Sequence, residues 1–296
     1  MLQRPMDLPA ADRRCLDERR DALEEDLDRI VSALLAEIPH EPLREQVELL
    51  AFTPNDALPK RRRRPKWEVA FLVDGLARAF GVDGQPRDTV LGFSLCINEY
   101  YDIFDDVVDG DVADGARGEV VATWQVMFPL CARLVHRLGD DAVEYWTELG
   151  MGLMEAPLAG VLTDPGLDPY LEIVERQGDL FGFLTGLCAV LGDEPTPTVE
   201  RAERIGRSFF AFEQFLLDGE QYGGGETEGW NLFALAGTNE AIDRLVERRI
   251  AYERACRILP EHQQSTLTSL VAVDLDRWRE TVLDGGDRPD GASGSS

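Results

Sequence analysis

Residues 100–111 read YYDIFDDVVDGD, and this stretch decides how the rest of the chain is understood. Asp102, Asp105, Asp106 and Asp109 are separated by three or four residues, so on a helix their carboxylates project from one face. Like charges at that spacing repel, and Gly110 places them at the helix C-terminus, where the backbone dipole also disfavours anions. A solvated acidic face is one reading. The interleaved Tyr100, Tyr101, Ile103, Phe104, Val107 and Val108 argue instead for a largely buried helix. On such a helix, four carboxylates call for a hard divalent cation, most simply Mg²⁺.

Outward from this stretch, the spacing of apolar residues is helical almost everywhere. Leu23, Leu27, Ile30, Leu34 and Leu35 set the period in the first segment. Further helices are expected over about 41–52, 66–80, 87–110, 117–138, 140–162, 168–191, 196–222, 238–257 and 260–282. Breaks fall at Gly81-Val82-Asp83-Gly84, Asp164-Pro165-Gly166 and Asp193-Glu194-Pro195. Strand-like alternation is nearly absent, and joins this short imply antiparallel neighbours. The expectation is an all-α, single-domain antiparallel bundle over 15–283, with a weakly structured N-terminus over 1–14 and a disordered Gly/Ser-rich tail over 284–296.

Composition narrows the function. The 296 residues carry 30 basic against 56 acidic side chains, a net charge of −26. That balance repels nucleic acid and anionic membrane surfaces. Lys60 and Lys66 are the two lysines, all other basic residues being arginine. This is a halophilic composition, suited to high salt, where self-repulsion is screened over about 3 Å at 1 M. The longest apolar run, Leu180 to Gly192, is too short to span a membrane. The opening MLQRPMDLPAAD has no signal-peptide apolar region. Five scattered cysteines without CxxC spacing point to neither disulfides nor zinc, and a reducing cytoplasm is expected. His40, His136 and His262 lie far apart and suggest no catalyst.

A second cluster, LPKRRRRPKW at 58–67, gathers six basic residues into seven positions. Such a run often marks a nucleic-acid patch, but the overall charge disfavours that use. Arginines held before a helix that Pro65 opens suit a small polyanion, because each guanidinium donates paired hydrogen bonds to phosphate oxygens. A metal-binding acidic face and a separate arginine site together suggest chemistry on two phosphorylated substrates.

The pairing of Arg61-Arg62-Arg63-Arg64-Pro65 with Asp105-Asp106-Val107-Val108-Asp109 resembles the trans-isoprenyl diphosphate synthases, the polyprenyl synthetase family. There a GKxxRP-type loop precedes one helix and DDxxD lies on a later one. The resemblance runs from about residue 55 to about 235. It implies an isoprenoid-synthase bundle in which Mg²⁺ held by Asp105, Asp106 and Asp109, with Asp105 and Asp109 as direct ligands, helps the diphosphate of an allylic substrate to leave. Isopentenyl diphosphate would then attack the allylic cation. By position Arg61 replaces the loop lysine, Arg64 is the arginine before proline and Arg62 lies beside them on the substrate. Arg117 resembles the second arginine of the family's RRG. Tyr100 and Tyr101, just upstream of DDxxD, occupy the floor that limits chain length, implying C15 to C20 products.

Departures from the family pattern are equally specific. Asn98 stands where a histidine is usual. The later KT pair becomes Arg176-Gln177 or Gln177-Gly178, and the GQ pair Met154-Glu155. The second motif, GxxFQxxDDxxD, reads Gly206 through Leu217, with Phe210 at the glutamine, Glu213 and Gln214 at the aspartate pair, and Asp218 one residue beyond the third. Glu213 and Asp218 are therefore expected to form a weakened second metal site. Gly223-Gly224-Gly225 is expected to be a flexible loop over it, with Trp230-Asn231 nearby. The resemblance implies a homodimer, or a heterodimer with a related synthase. Two alternatives stay open: a class I terpene cyclase, and a non-catalytic partner subunit of a prenyl diphosphate synthase.

Overall fold

The apolar period at Leu23, Leu27, Ile30 and Leu34 produces the first helix, α1 (Ala10–Leu35), with those side chains buried. The computed structural model describes residues 4–53, 57, 67–153, 162–225 and 229–284. Following α1 are α2 (Glu41–Phe52), α3 (Trp67–Ala79), α4 (Gly84–Asp109), α5 (Arg117–Leu138), α6 (Asp140–Leu153), α7 (Leu167–Leu191), α8 (Thr196–Gly223), α9 (Leu232–Ala236), α10 (Thr238–Ala255), α11 (Glu261–Thr268) and α12 (Leu275–Arg279). Among the described residues the architecture is all-α, with an isolated bridge between Met6 and Val273 as its one β pairing. A shared core includes Phe71, Phe93, Phe183, Phe209, Phe212, Phe215, Tyr252 and Trp278, all fully buried.

The central pair is α7 against α8, with α4 lying along α5 and α10 covering α8. Close approach of α7 and α8 depends on small residues. A Cβ on Gly206 would stand 2.1 Å from the Phe181 carbonyl oxygen, so no larger residue fits there. Asp74 of α3, 2% exposed, collects guanidinium groups from three places. Arg87 Nε donates to it at 2.5 Å, Arg78 Nε at 3.0 Å, and Arg19 Nη2 lies at 3.5 Å. This fastens α1, α3 and α4 together through a buried anion that three cations neutralise.

Two regions depart from the expected pattern. Residues 260–282 form α11, a 3₁₀ turn at Ser269–Val271, α12 and a final π turn, rather than one helix. Local side-chain bonds compete with the helix here: Thr268 Oγ1 donates to the Gln264 carbonyl, Ser269 Oγ to that of Thr266, and Asp274 caps α12 by accepting from the Arg277 amide. The N-terminal segment is also built into the fold. The Asp7 amide donates to the Ala272 carbonyl at 2.8 Å, the Asp274 amide to that of Pro5 at 2.9 Å, and α1 starts at Ala10.

Candidate active site

The acidic face sits where the sequence places it, on the last turns of α4. Gly110 ends this helix with φ +77°, and the amides of Gly110 and Asp111 both donate to the Asp106 carbonyl. Only glycine adopts that conformation cheaply, so the residue after Asp109 determines that the carboxylates crowd at a helix end. Asp102, Asp105 and Asp106 are half-buried. Asn98, itself buried, donates from Nδ2 to Asp102 Oδ2 at 3.3 Å, which holds the first carboxylate one turn below the other two.

Beneath the acidic end lies an aromatic wall. Tyr100 stacks on Trp124 of α5 at 5.3 Å with 27° between planes, meets Tyr101 edge-on at 5.3 Å and reaches Phe128 at 6.0 Å. Phe104 covers the same indole at 5.2 Å. The wall continues from Phe128 to Trp146, and from there through Phe93 to Phe183 on α7. Burial pushes the phenols of Tyr100 and Tyr101 above their usual range, so both stay neutral.

The second acidic region is arranged differently from its sequence expectation. Asp218 is fully buried, and its carboxylate accepts from the Tyr170 hydroxyl at 2.6 Å, the Leu232 amide at 2.7 Å and Gln214 Nε2 at 2.9 Å. Loss of solvent raises its pKa to about 6 despite those three donors. Asn231 donates from Nδ2 to the Asp218 carbonyl and caps α9 through Oδ1. Asp218 and Asn231 therefore tie the end of α8 to α9, rather than facing a ligand. Gly223 is the last residue of α8, where a Cβ would meet the Val282 carbonyl oxygen at 2.0 Å. It is thus a packing position and not part of a loop.

Glu213 does face away from the core, but toward a partner that sequence reasoning missed. Arg4 Nη1 donates to Glu213 Oε2 at 2.7 Å, and Arg4 Nε to Glu220 Oε1 at 2.7 Å. The guanidinium is 10% exposed. Burial alone would lower its pKa, but the charges of Glu213 and Glu220 outweigh that and raise it. No local signal announces this contact, because 209 residues separate Arg4 from Glu213.

The remaining predicted positions are scattered. Arg176 pairs with Glu172 at 2.7 Å on the exposed side of α7, and Gln177 beside it is half-buried. Phe210 packs on Phe181 at 5.0 Å. Arg117 is exposed at the first turn of α5. Arg61, Arg62 and Arg64 lie outside the described residues, as does Met154-Glu155. A cavity of about 410 Å³ between α1 and residues 253–272 is lined by Leu8, Cys15, Arg257 and Thr268, among others, and by none of the predicted site residues.

No family sequence model matches the chain, and no curated protein matches it either. Solved structures do. A decaprenyl diphosphate synthase from Rhodobacter capsulatus superposes with a TM-score of 0.68 at 15% identity, covering 90% of this chain and 99% of that one. The chain has the fold of the isoprenyl diphosphate synthases. A polyprenyl synthase from Caulobacter crescentus CB15, complexed with calcium and isoprenyl diphosphate, gives 0.68 at 16% identity over 87% and 96% of the two chains. A geranylgeranyl pyrophosphate synthetase from the archaeon Geoglobus acetivorans gives 0.66 at 13% identity over 92% and 99%. The isoprenyl diphosphate synthase fold is thus spanned almost end to end.

The donor chemistry separates the two acidic regions. Asp105 and Asp106, half-buried hard oxygen donors on one helix end, fit a magnesium ion. In the second region a cation, Arg4, already stands between Glu213 and Glu220, and Asp218 is buried among three donors, an arrangement that does not fit a further ion. Among the described residues no group of three His, Cys, Asp or Glu side chains stands in metal-ligating geometry. No described helix is long and apolar enough to cross a membrane.

Proposed function

We propose that the protein is a prenyltransferase that condenses isopentenyl diphosphate with an allylic diphosphate to give a short-chain isoprenyl diphosphate. The observation that carries this reading is the acidic end of α4 set directly above the Tyr100–Trp124–Phe104 stack. Mg²⁺ held by Asp105, Asp106 and Asp109 would supply charge stabilisation to the departing allylic diphosphate. The protein groups do the rest. Arg61, Arg62 and Arg64 would hold the second diphosphate by paired hydrogen bonds, with Arg117, Asn98, Arg176, Gln177 and Phe210 as further substrate contacts. The aromatic wall would present π faces to a carbocation. Tyr100 and Tyr101 would stop the growing chain at about C15 to C20, their half-buried rings packed edge to face one turn below the acidic end. A cytoplasmic homodimer, or a heterodimer with a related synthase, belongs to the same reading.

A second reading, a non-catalytic partner subunit of a prenyl synthase, is favoured by the internal engagement of Glu213 and Asp218. A class I terpene cyclase would equally tolerate that engagement but has less use for Arg61 and Arg64. The deciding experiment incubates pure protein with Mg²⁺ at high salt, with labelled isopentenyl diphosphate and each of three allylic diphosphates. A labelled condensation product is expected. Diphosphate release from an allylic substrate alone would point to a cyclase, and no reaction with any pair to a non-catalytic subunit.

A further inference from the structure

We propose that Arg4 is a resident cation on the second acidic face, taking the place that a divalent ion would occupy between Glu213 and Glu220. The two glutamates lie seven residues apart, two turns along the same face of α8, about 10.5 Å of helix rise. A guanidinium can span that spacing because its Nε and Nη1 edges point in different directions, and each donates here at 2.7 Å to a different carboxylate. An ammonium, a point donor on a flexible stem, could not address both with that geometry.

The position of Arg4 is imposed by the fold. Pro5 restricts the backbone beside it, and the next residues are pinned by the Met6–Val273 bridge and by the hydrogen bonds of Asp7 to Ala272 and of Asp274 to Pro5. The backbone that carries the guanidinium is therefore already ordered, and only the side-chain rotamers remain to be fixed. A metal entering there would have to displace a cation that is nine-tenths buried and strand it away from water. With Arg4 in place, the neighbouring side chains offer the face no spare carboxylate. Asp218 is saturated by Tyr170, Leu232 and Gln214, and the Gln214 amide is oriented as a donor toward it. The consequence is a face of α8 that is neutralised internally and takes no divalent ion. This holds whatever substrate the protein uses.

The test counts Mn²⁺ ions bound to the full chain by electron paramagnetic resonance, with and without inorganic pyrophosphate. Turnover is not the readout, so the result stands apart from the proposed reaction. The wild type and Glu213→Gln should bind the same number of ions in both conditions. Loss of an ion on Glu213→Gln would overturn the proposal, because metal would then occupy the face in spite of Arg4. In the second arm, Arg4→Met should gain one Mn²⁺, and the double variant Arg4→Met/Glu213→Gln should lose it again. A folded Arg4→Met protein that gains no ion would equally overturn the proposal. The first arm leaves Arg4 in place, so it decides the matter even if Arg4→Met fails to fold.

Discussion

Tyr170 and Asp218 share a hydrogen bond of 2.6 Å in the interior between α7 and α8, with the tyrosine hydroxyl donating to Oδ2. Two further donors complete the shell, yet burial still raises the carboxyl to about 6. Its folded pKa therefore lies above the unfolded value near 3.9. Between about pH 4 and 6 the folded state binds more protons than the unfolded one. The contribution of this group is then most favourable below pH 4, declines as pH rises to 6 and is flat above. The expected span is about 3 kcal/mol. Asp218→Asn removes the titration, so the stability of wild type relative to this variant should grow as pH falls from 7 to 4. Denaturant unfolding at each pH measures it, and a constant difference would contradict the pKa assignment.

Gln214 is part of the same cluster, which reverses what its place in the second motif suggests. Converting it to the aspartate usual in the resembling family would remove the donor to Asp218 Oδ1 and set a second carboxylate beside a buried one. We expect Gln214→Asp to destabilise the fold by about 2 kcal/mol. Urea midpoints for the two proteins check this, and an unchanged midpoint would count against the internal role of Gln214.

Asp105→Asn should separate activity from stability. The substitution keeps the size and polarity of the side chain and relieves like-charge repulsion at a helix C-terminus, so stability should change far less than turnover. Turnover with isopentenyl and allylic diphosphates should fall about a hundredfold or more, because the proposed metal site would lose a ligand. Thermal melts and single-turnover assays on one preparation supply both readings. Intact turnover would remove Asp105 from the metal site.

Much of the bundle was legible because burial imposes its period on the sequence. Helices α2 and α5 begin and end where the pattern predicts, helped by Pro42 at the first helical positions and by Gly139 after Leu138. The acidic face and its aromatic neighbours were legible for the same local reason. Residues 260–282 were misread as one helix because Ser, Thr and Asp bonds to the backbone outweigh an apolar period that persists through them. The Arg4 bridge and the burial of Asp218 were not legible at all. Each depends on chain segments brought together by the completed fold, and a charged residue on a helix carries no mark of which partner it will meet.

Arg61 and Arg64 should act on one substrate only. Replacing either with Ala should raise the KM for isopentenyl diphosphate about tenfold or more, with allylic diphosphate binding nearly unchanged, since each removes a charge-assisted contact to one diphosphate. Steady-state kinetics with each substrate varied in turn would show it. Equal effects on both substrates would mean that the basic run serves a shared site.

Chain length is the sharpest test of the aromatic wall. Tyr100 and Tyr101 precede Asp105 by five and four residues, so they lie about 6 to 7.5 Å below it along α4. Their rings are held edge to face at 5.3 Å, and Tyr100 is clamped by Trp124 and Phe128. A chain growing downward from the metal face would meet this clamp before any other part of the wall. Removing one ring alone should matter little, because the other still fills the space. Substituting both by Ala should lengthen the product by at least one five-carbon unit, at a stability cost of about 3 to 5 kcal/mol per large side chain, to the extent that each is buried. Product analysis reads the outcome. A folded, active double variant with the wild-type product would show that the wall packs the bundle without measuring the chain.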